Sequence, residues 1–367
     1  MSKFRCLVAG LLAALALTGC GDDRASRPTC DKPAGSFGEP ATRLTFAAPG
    51  ASAAQVDQAR SILCARLAGL GVAHRVQRAP GNGLTVDVTR ASQLADELDP
   101  SRIFGVGRLA IYDWEANVIG PRGVSAPGDP EVTGGQDAGQ GGGALSLSDA
   151  VRRAARIPAD VDADNSHAGS RFYAIDPRSG DVFVAHTRGT ALALFPAPQR
   201  DQVKVSEVKP GTVIVRAEGP RSGAGSWYVL RDDVALRGSQ IVEPRQETVE
   251  GPGATGEPAV AFHFTADGRA AWARFTREIA DRGSRGVGVS TGQSAADANQ
   301  HFVIVVDDAI VSTPFIDFRI NPNGIDGSAG SLISGGFTNL SARSLAVLLD
   351  GEPLPVSLVP TGTSPVP

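Results

Sequence analysis

Ser290 and three aspartates lie in short patterns that enzymes or ion sites use. Gly288-Val289-Ser290-Thr291-Gly292 fits G-x-S-x-G. That turn lifts a serine hydroxyl out of a strand-to-helix corner, and it needs a downstream acid and histidine to become a nucleophile. Here the run follows a helical segment in a Gly-rich stretch, and His301, the one later histidine, stands too near to be an independent partner. With 44 glycines in 367 residues, a chance match is the better reading. Asp160, Asp162 and Asp164 imitate the start of a calcium loop, but Asn165 replaces the turn glycine and Arg171 the bidentate glutamate. A solvated acidic turn is expected there. The five histidines show no ligand spacing, so neither a metal nor a cofactor is expected. Asp307-Asp308 reads as a turn between paired strands rather than a catalytic dyad. The chain is expected not to be an enzyme.

The cysteines say more. Lys3 and Arg5 precede an uncharged run over 6–17, which ends in Leu17-Thr18-Gly19-Cys20. A basic start, a short apolar core and small residues at a cleavage point make a secretory signal, and the core is too short to span a bilayer. The last four residues match the lipobox of bacterial lipoproteins. That resemblance implies removal of residues 1–19 and lipidation of Cys20, whose thiol forms the thioether. Each buried methylene of such an anchor contributes about 0.8 kcal/mol. Cys6 leaves with the signal. Cys30 and Cys64 remain, an even pair in an oxidising compartment. A bridge between them would contribute up to about 4 kcal/mol on the chain-entropy view. The alternative is Cys64 as a small buried hydrophobe.

Processing leaves 367 − 19 = 348 residues, enough for two or three domains. Net charge is −4 and the basic residues, nearly all arginine, are scattered, so no nucleic-acid track is expected. No later stretch approaches the ~18 uncharged apolar residues of a membrane helix.

Several elements follow from periodicity. Residues 20–41 read as a flexible tether. Over 42–113 the pattern is β-α-β-β-α-β: a strand at 42–47, then a helix capped by Ser52 with Val56, Ala59, Leu63, Leu67 and Leu70 on one face. Strands at 72–78 and 84–88 flank the turn signal Gly81-Asn82-Gly83. A helix near 91–98 and a closing strand over 103–112 complete a ferredoxin-like base. Residues 114–145 form a Gly/Pro-rich linker, and 146–256 a β-rich middle section that starts with a short helix. Residues 257–360 form an α+β head: strands at 259–264, 302–306 and 354–359, with helices capped by Thr265 and Thr338. Residues 361–367 read as a tail. The fold class is α+β.

Two regions resemble SecD, the accessory subunit of the bacterial Sec export machinery. Residues 56–73 (VDQARSILCARLAGLGVA) are similar to the opening helix of SecD's large first extracytoplasmic domain, with its R-x-x-x-L-G-V ending. Residues 257–276 (EPAVAFHFTADGRAAWARFT), 303–316 (VIVVDDAIVSTPFI) and 333–356 (ISGGFTNLSARSLAVLLDGEPLPV) are similar to the head of that domain, in order. SecD carries its proton-coupling residues in membrane helices, and no position here corresponds to them; a lipobox stands where its first helix would be. The resemblance implies a lipid-anchored, extracytoplasmic, non-enzymatic module. Its expected partners are secreted polypeptides or Sec translocase subunits, bound through strand edges and an apolar groove. Phe262, Phe315 and Phe337 are the candidate groove residues, with core packing as their competing role. A solute-binding or envelope-structural lipoprotein that reuses the fold is the alternative.

Overall fold

A computed structural model describes residues 30, 41–89, 103–120, 123–124, 145–160, 169–217, 226–249, 256–286, 299–334 and 337–366. Expectations elsewhere, among them Cys20, the helix near 91–98 and Ser290, lie outside the described residues. In chain order the first elements are β1 (Ala41–Ala47), α1 (Ala53–Gly69), β2 (His74–Ala79), β3 (Gly83–Thr89), β4 (Leu109–Asp113) and α2 (Trp114–Asn117). Next come β5 (Ile119–Gly120), β6 (Gly123–Val124), α3 (Leu147–Ala154), β7 (Arg171–Ile175), β8 (Val182–Ala185), α4 (Arg188–Ala193) and β9 (Lys204–Val208). Then follow β10 (Thr212–Ala217), β11 (Ser226–Arg231), β12 (Leu236–Arg237), β13 (Ile241–Thr248), β14 (Pro258–Phe264) and α5 (Ala266–Gly286). The last are β15 (Gln300–Val306), β16 (Ala309–Ser312), β17 (Phe315–Ile316), β18 (Ser331–Ser334), α6 (Asn339–Asp350) and β19 (Val359–Pro365).

Helix α1 begins and ends on local chemistry. Ser52 accepts from the Gln55 N–H while the Gln55 side chain accepts from the Ser52 N–H, a reciprocal cap. At the other end the Gly71 N–H reaches Ala68 O and the Val72 N–H reaches Leu67 O, with Gly71 at φ +71°. Val56, Ala59, Leu63 and Leu67 are fully buried against Val76, Leu84 and Val86 of the sheet below. The β2–β3 connection turns through Gly81 and Asn82, both at positive φ. Cys30 and Cys64 have their sulfurs in bonding contact and Cα atoms 5.8 Å apart, within disulfide range.

The base sheet is antiparallel in the order β19-β1-β3-β2, the order of a ferredoxin-like fold. Its fourth strand is not the expected one. The segment over 103–112 gives strand only from Leu109, and β4 pairs with β15 and β12 in a different sheet. The base is closed instead by β19, which pairs with β1 from Thr42↔Pro365 to Ala47↔Val359. The final strand thus starts later than its apolar pattern suggests and uses the polar run Thr361–Ser364. Helix α6 takes the second helical position. Its Leu340 and Val347 pack on the base core, and Arg343 Nε donates to Gly69 O at 2.7 Å. Its opposite face (Ala342, Leu345, Ala346, Leu349) enters the head core. The base is therefore built from both ends of the described chain, with the rest inserted between β3 and α6.

The insertion centres on a sheet ordered β11-β10-β16-β15-β4-β12, with β17 against β15. Strand alternation splits its faces. Leu109, Ile111, Phe302, Ile304 and Val306 join a core with Trp272, Phe275 and Ile279 of α5 and with the sheet β13-β14-β18. Ala110, Tyr112, Val303 and Val305 face Val213, Val215, Tyr228 and Leu230. Strands β10 and β11, from the middle section, are thus part of the head's main sheet. A small sheet, β8-β7-β9, is covered by Ala191 of α4 and by Phe195 just after it. Among the described residues no helix is long and apolar enough to cross a membrane.

Because β19 supplies the outer strand of the base, deletion of residues 359–367 should lower stability by about 2–5 kcal/mol, the sum of several lost strand hydrogen bonds. Denaturant unfolding of the truncated chain measures this; an unchanged midpoint would show that β19 contributes nothing.

Candidate functional site

The turn between β15 and β16 is where the base, the central sheet and the small sheet meet. Asp307 and Asp308 form its two residues, closed by the Val306↔Ala309 pair, and stand at φ +49° and +66°. A two-residue connection between right-twisted strands favours this left-handed geometry, and aspartate tolerates it better than most side chains. Each carboxylate then grips a different segment. Asp307 accepts from the Gly107 N–H at 2.7 Å and the Arg108 N–H at 2.9 Å, and its own N–H donates to Arg108 O at 3.0 Å. Asp308 accepts from Arg171 Nη1 through both oxygens, at 2.7 and 2.8 Å, and its carbonyl accepts from the Arg216 N–H. Arg171 opens β7 and is buried. Tyr112, buried beside it, donates to Asp232 at 2.9 Å.

Burial pushes the Asp307 carboxyl above its ordinary value, against the pull of its two N–H donors. Burial pulls the Arg171 guanidinium down, but Asp308 and Tyr173 outweigh it and the net shift is upward. Burial raises the Tyr112 hydroxyl, and Asp232 adds to the effect. On the base side Arg66 of α1 is 1% exposed. Its guanidinium donates to the carbonyls of Ile103, Gly105, Val106 and Glu352 at 2.7 to 3.3 Å. Burial pulls its pKa down to about 10. The guanidinium thus clamps the segment crossing into the insertion to the chain that returns from α6. Gly107 sits at φ +83°, and a Cβ there would collide with Arg66 Nη2.

Two cavities flank the turn. One, about 420 Å³, lies between Pro49–Ala51 of the base, Phe104–Val106, Val356–Val359 and the small sheet. The other, about 520 Å³, runs past Gly180–Val182, Ile214, Arg216 and Trp227. Val184, Asp307 and Asp308 line both. Val184 belongs to β8, an edge strand of its sheet, and is 41% exposed. Arg108, half-buried in the first cavity, has no side-chain partner among the described residues. The arrangement offers strand-edge donors and acceptors, apolar walls and one open cation. Among the described residues no group of side chains could hold a metal ion.

The residues singled out from sequence fall in different places. Asp307-Asp308 is a turn, as its pattern suggests. Phe262 is core, Phe337 is half-buried against the same core, and Phe315 is 52% exposed on β17, away from both cavities. The three phenylalanines do not form one groove. His301 has the acid partner that sequence did not reveal. Buried Glu115 accepts from its Nδ1 at 2.9 Å and from its backbone N–H. Asp162, Asp164, Asn165 and Ser290 lie outside the described residues. Arg171, at the place of a calcium-loop glutamate, is committed to Asp308. Nothing local in the sequence marks Arg66, Arg171 or Val184 as part of one site: Arg66 and Arg171 take partners more than 30 residues away, and Val184 meets Asp307 and Asp308 only as a cavity wall.

Residues 213–356, or 356 − 213 + 1 = 144 of 367, match the family model described as the P1 head subdomain of SecDF. No curated protein matches. Three solved structures are similar. SecDF in its super-membrane-facing form shares 16% identity over 89% of this chain and 30% of its own, with a TM-score of 0.42. A structure of the membrane component SecDF that enhances protein export shares 15% over 87% and 98%, with a TM-score of 0.39. SecDF from Thermus thermophilus, a translocon-associated membrane protein, shares 16% over 89% and 31%, with a TM-score of 0.28. The chain spans about a third of two of those proteins, and its second half resembles the SecD extracytoplasmic head.

Asp308→Ala should cost about 2–4 kcal/mol, a buried-pair loss discounted because Asp308 is a third exposed. Arg171→Met combined with Asp308→Asn should recover much of it. Additive losses in that double-mutant cycle would show that the pair does not couple. For Asp307 the raised folded pKa fixes the sign. Its contribution is fully present below the ordinary carboxyl value and is lost as pH rises through the folded value. Stability of Asp307→Asn minus that of the parent should therefore climb with pH across this window; a flat difference excludes the shift.

Proposed function

We propose that this chain is a non-enzymatic accessory of protein export. It works at the extracytoplasmic face of the cell membrane, held there by lipid on Cys20, and binds extended polypeptide. The observation that carries the reading is the edge strand β8, whose residues line both cavities beside the Asp307-Asp308 turn. An unpaired strand edge offers alternating N–H and C=O groups that an extended backbone satisfies regardless of its sequence. Apolar walls at Val184, Leu194, Phe104 and Leu358 take alternate side chains. Such recognition suits a partner that is unfolded and varied. The resemblance of residues 213–356 to the SecDF P1 head supports the same setting. Sec translocase subunits are the other expected partners.

A solute-binding lipoprotein is the second reading, because about 420 Å³ falls within the range of small-ligand clefts. A photo-crosslinker at Val184 separates the two. An adduct with a secreted polypeptide arrested in export is expected, with none from Ile320, which is 76% exposed but lines neither cavity. Equal labelling from both positions, or none from Val184, overturns the polypeptide reading. Cys20→Ala should release the protein from carbonate-washed membranes; a variant that still sediments with them refutes the anchor.

A further inference from the structure

A third cavity lies apart from the β8 furrow and carries a different chemistry. It is a groove of about 980 Å³ between the end of α3, the strand end at Arg231 and the segment 157–160. Four arginines line it, Arg152, Arg153, Arg156 and Arg231, against two carboxylates, Asp149 and Asp160. The excess is 4 − 2 = 2 positive charges, in a chain whose net charge is −4. Two of the arginines are already engaged. Arg152 pairs with Asp149, and Arg153 Nη1 donates to Ile119 O at 3.2 Å. Arg156 and Arg231, both exposed, have no partner among the described residues.

Arginines in a last helical turn complement the helix dipole, which accounts for Arg152 and Arg153. It does not account for Arg231, which comes from β11 and reaches the same groove from the sheet. The far wall is fixed rather than adaptable. Asp160 N–H donates to Pro210 O at 3.0 Å, and Gly211 at φ +88° abuts Asp160 so closely that a Cβ there would overlap it. Ile119, Leu145 and Ile157 give the groove apolar contact between the charges.

We infer that this groove binds an acidic segment of a partner polypeptide, with Arg156 and Arg231 each taking a carboxylate in the planar fork that guanidinium offers. The volume is at the upper end of small-molecule clefts, room for a chain segment rather than one ion. A membrane surface fits less well. Among the described residues none of the large exposed apolar ones, Val184, Val242, Phe315, Ile320 and Leu332, lines this groove to enter a bilayer. The inference does not depend on polypeptide binding at β8, which uses other residues.

Fluorescence anisotropy with the full-length chain and a labelled peptide alternating glutamate and alanine tests this. Binding is expected to exceed that of the matching glutamine peptide by about tenfold or more and to weaken as salt screens the charges. Arg156→Glu with Arg231→Glu should abolish the difference, while the thermal unfolding midpoint and the Val184 crosslink stay unchanged. Equal binding of the two peptides overturns the inference, as does an unaltered affinity in the double variant. Vesicles containing phosphatidylglycerol are the third arm: Arg156- and Arg231-dependent sedimentation with vesicles, without peptide binding, would assign the groove to lipid and overturn it equally.

Discussion

A carboxylate drawn partly out of water must find donors, and at Asp307 and Asp308 the donors come from other parts of the chain. Asp307 takes two backbone N–H groups of the segment that leaves the base. Asp308 takes a buried arginine of the small sheet. One turn carries both, so a two-residue connection ties the central sheet to the segment leaving the base and to the small sheet. Removing either carboxylate leaves the donors of one of these segments unmatched. The geometry of both cavities rests on this turn, since each has it as a wall.

Arg66 makes the complementary contact from the base. A guanidinium surrounded by four carbonyl oxygens is a cation solvated by backbone. Those carbonyls belong to the segment entering the insertion and to the chain returning from it. The clamp therefore ties together the two crossings between base and head, and Asp307 holds the first of them to the central sheet through the Gly107 and Arg108 N–H groups. Gly107 lies between the two, where only a residue without Cβ and with positive φ leaves room for the arginine.

Much of the fold was legible because its signals are local. Ser52 and Thr338 cap their helices, the glycine pair at 69 and 71 closes α1, and Asp307-Asp308 turns a hairpin. The strands at 258–264 and 300–306 lie close to where alternation puts them. Failures came where the deciding contact is distant. A run such as 103–112 has strand composition, but which sheet it joins depends on β15, nearly 200 residues later. β19 has almost no alternation, because only one of its edges is paired and most of its side chains face solvent. The candidate site was less legible than the fold. Asp307-Asp308 was visible as a turn, whereas Arg66, Arg171 and Val184 acquire meaning only from partners that local pattern does not reveal.

The two-ended construction of the base also bears on how the protein reaches its native state. Strand β1 finds one neighbour within 50 residues and the other only about 320 residues on. Bringing such distant segments together costs loop-closure entropy, and pairings of this kind form late and slowly. A chain crossing a membrane amino terminus first would present β1 with one bare edge until its final residues arrive. During that interval the head, whose strands are closer in sequence, can close around its own core. Its folding would then carry α6 and β19 back to the open edge, making the base the last region to form.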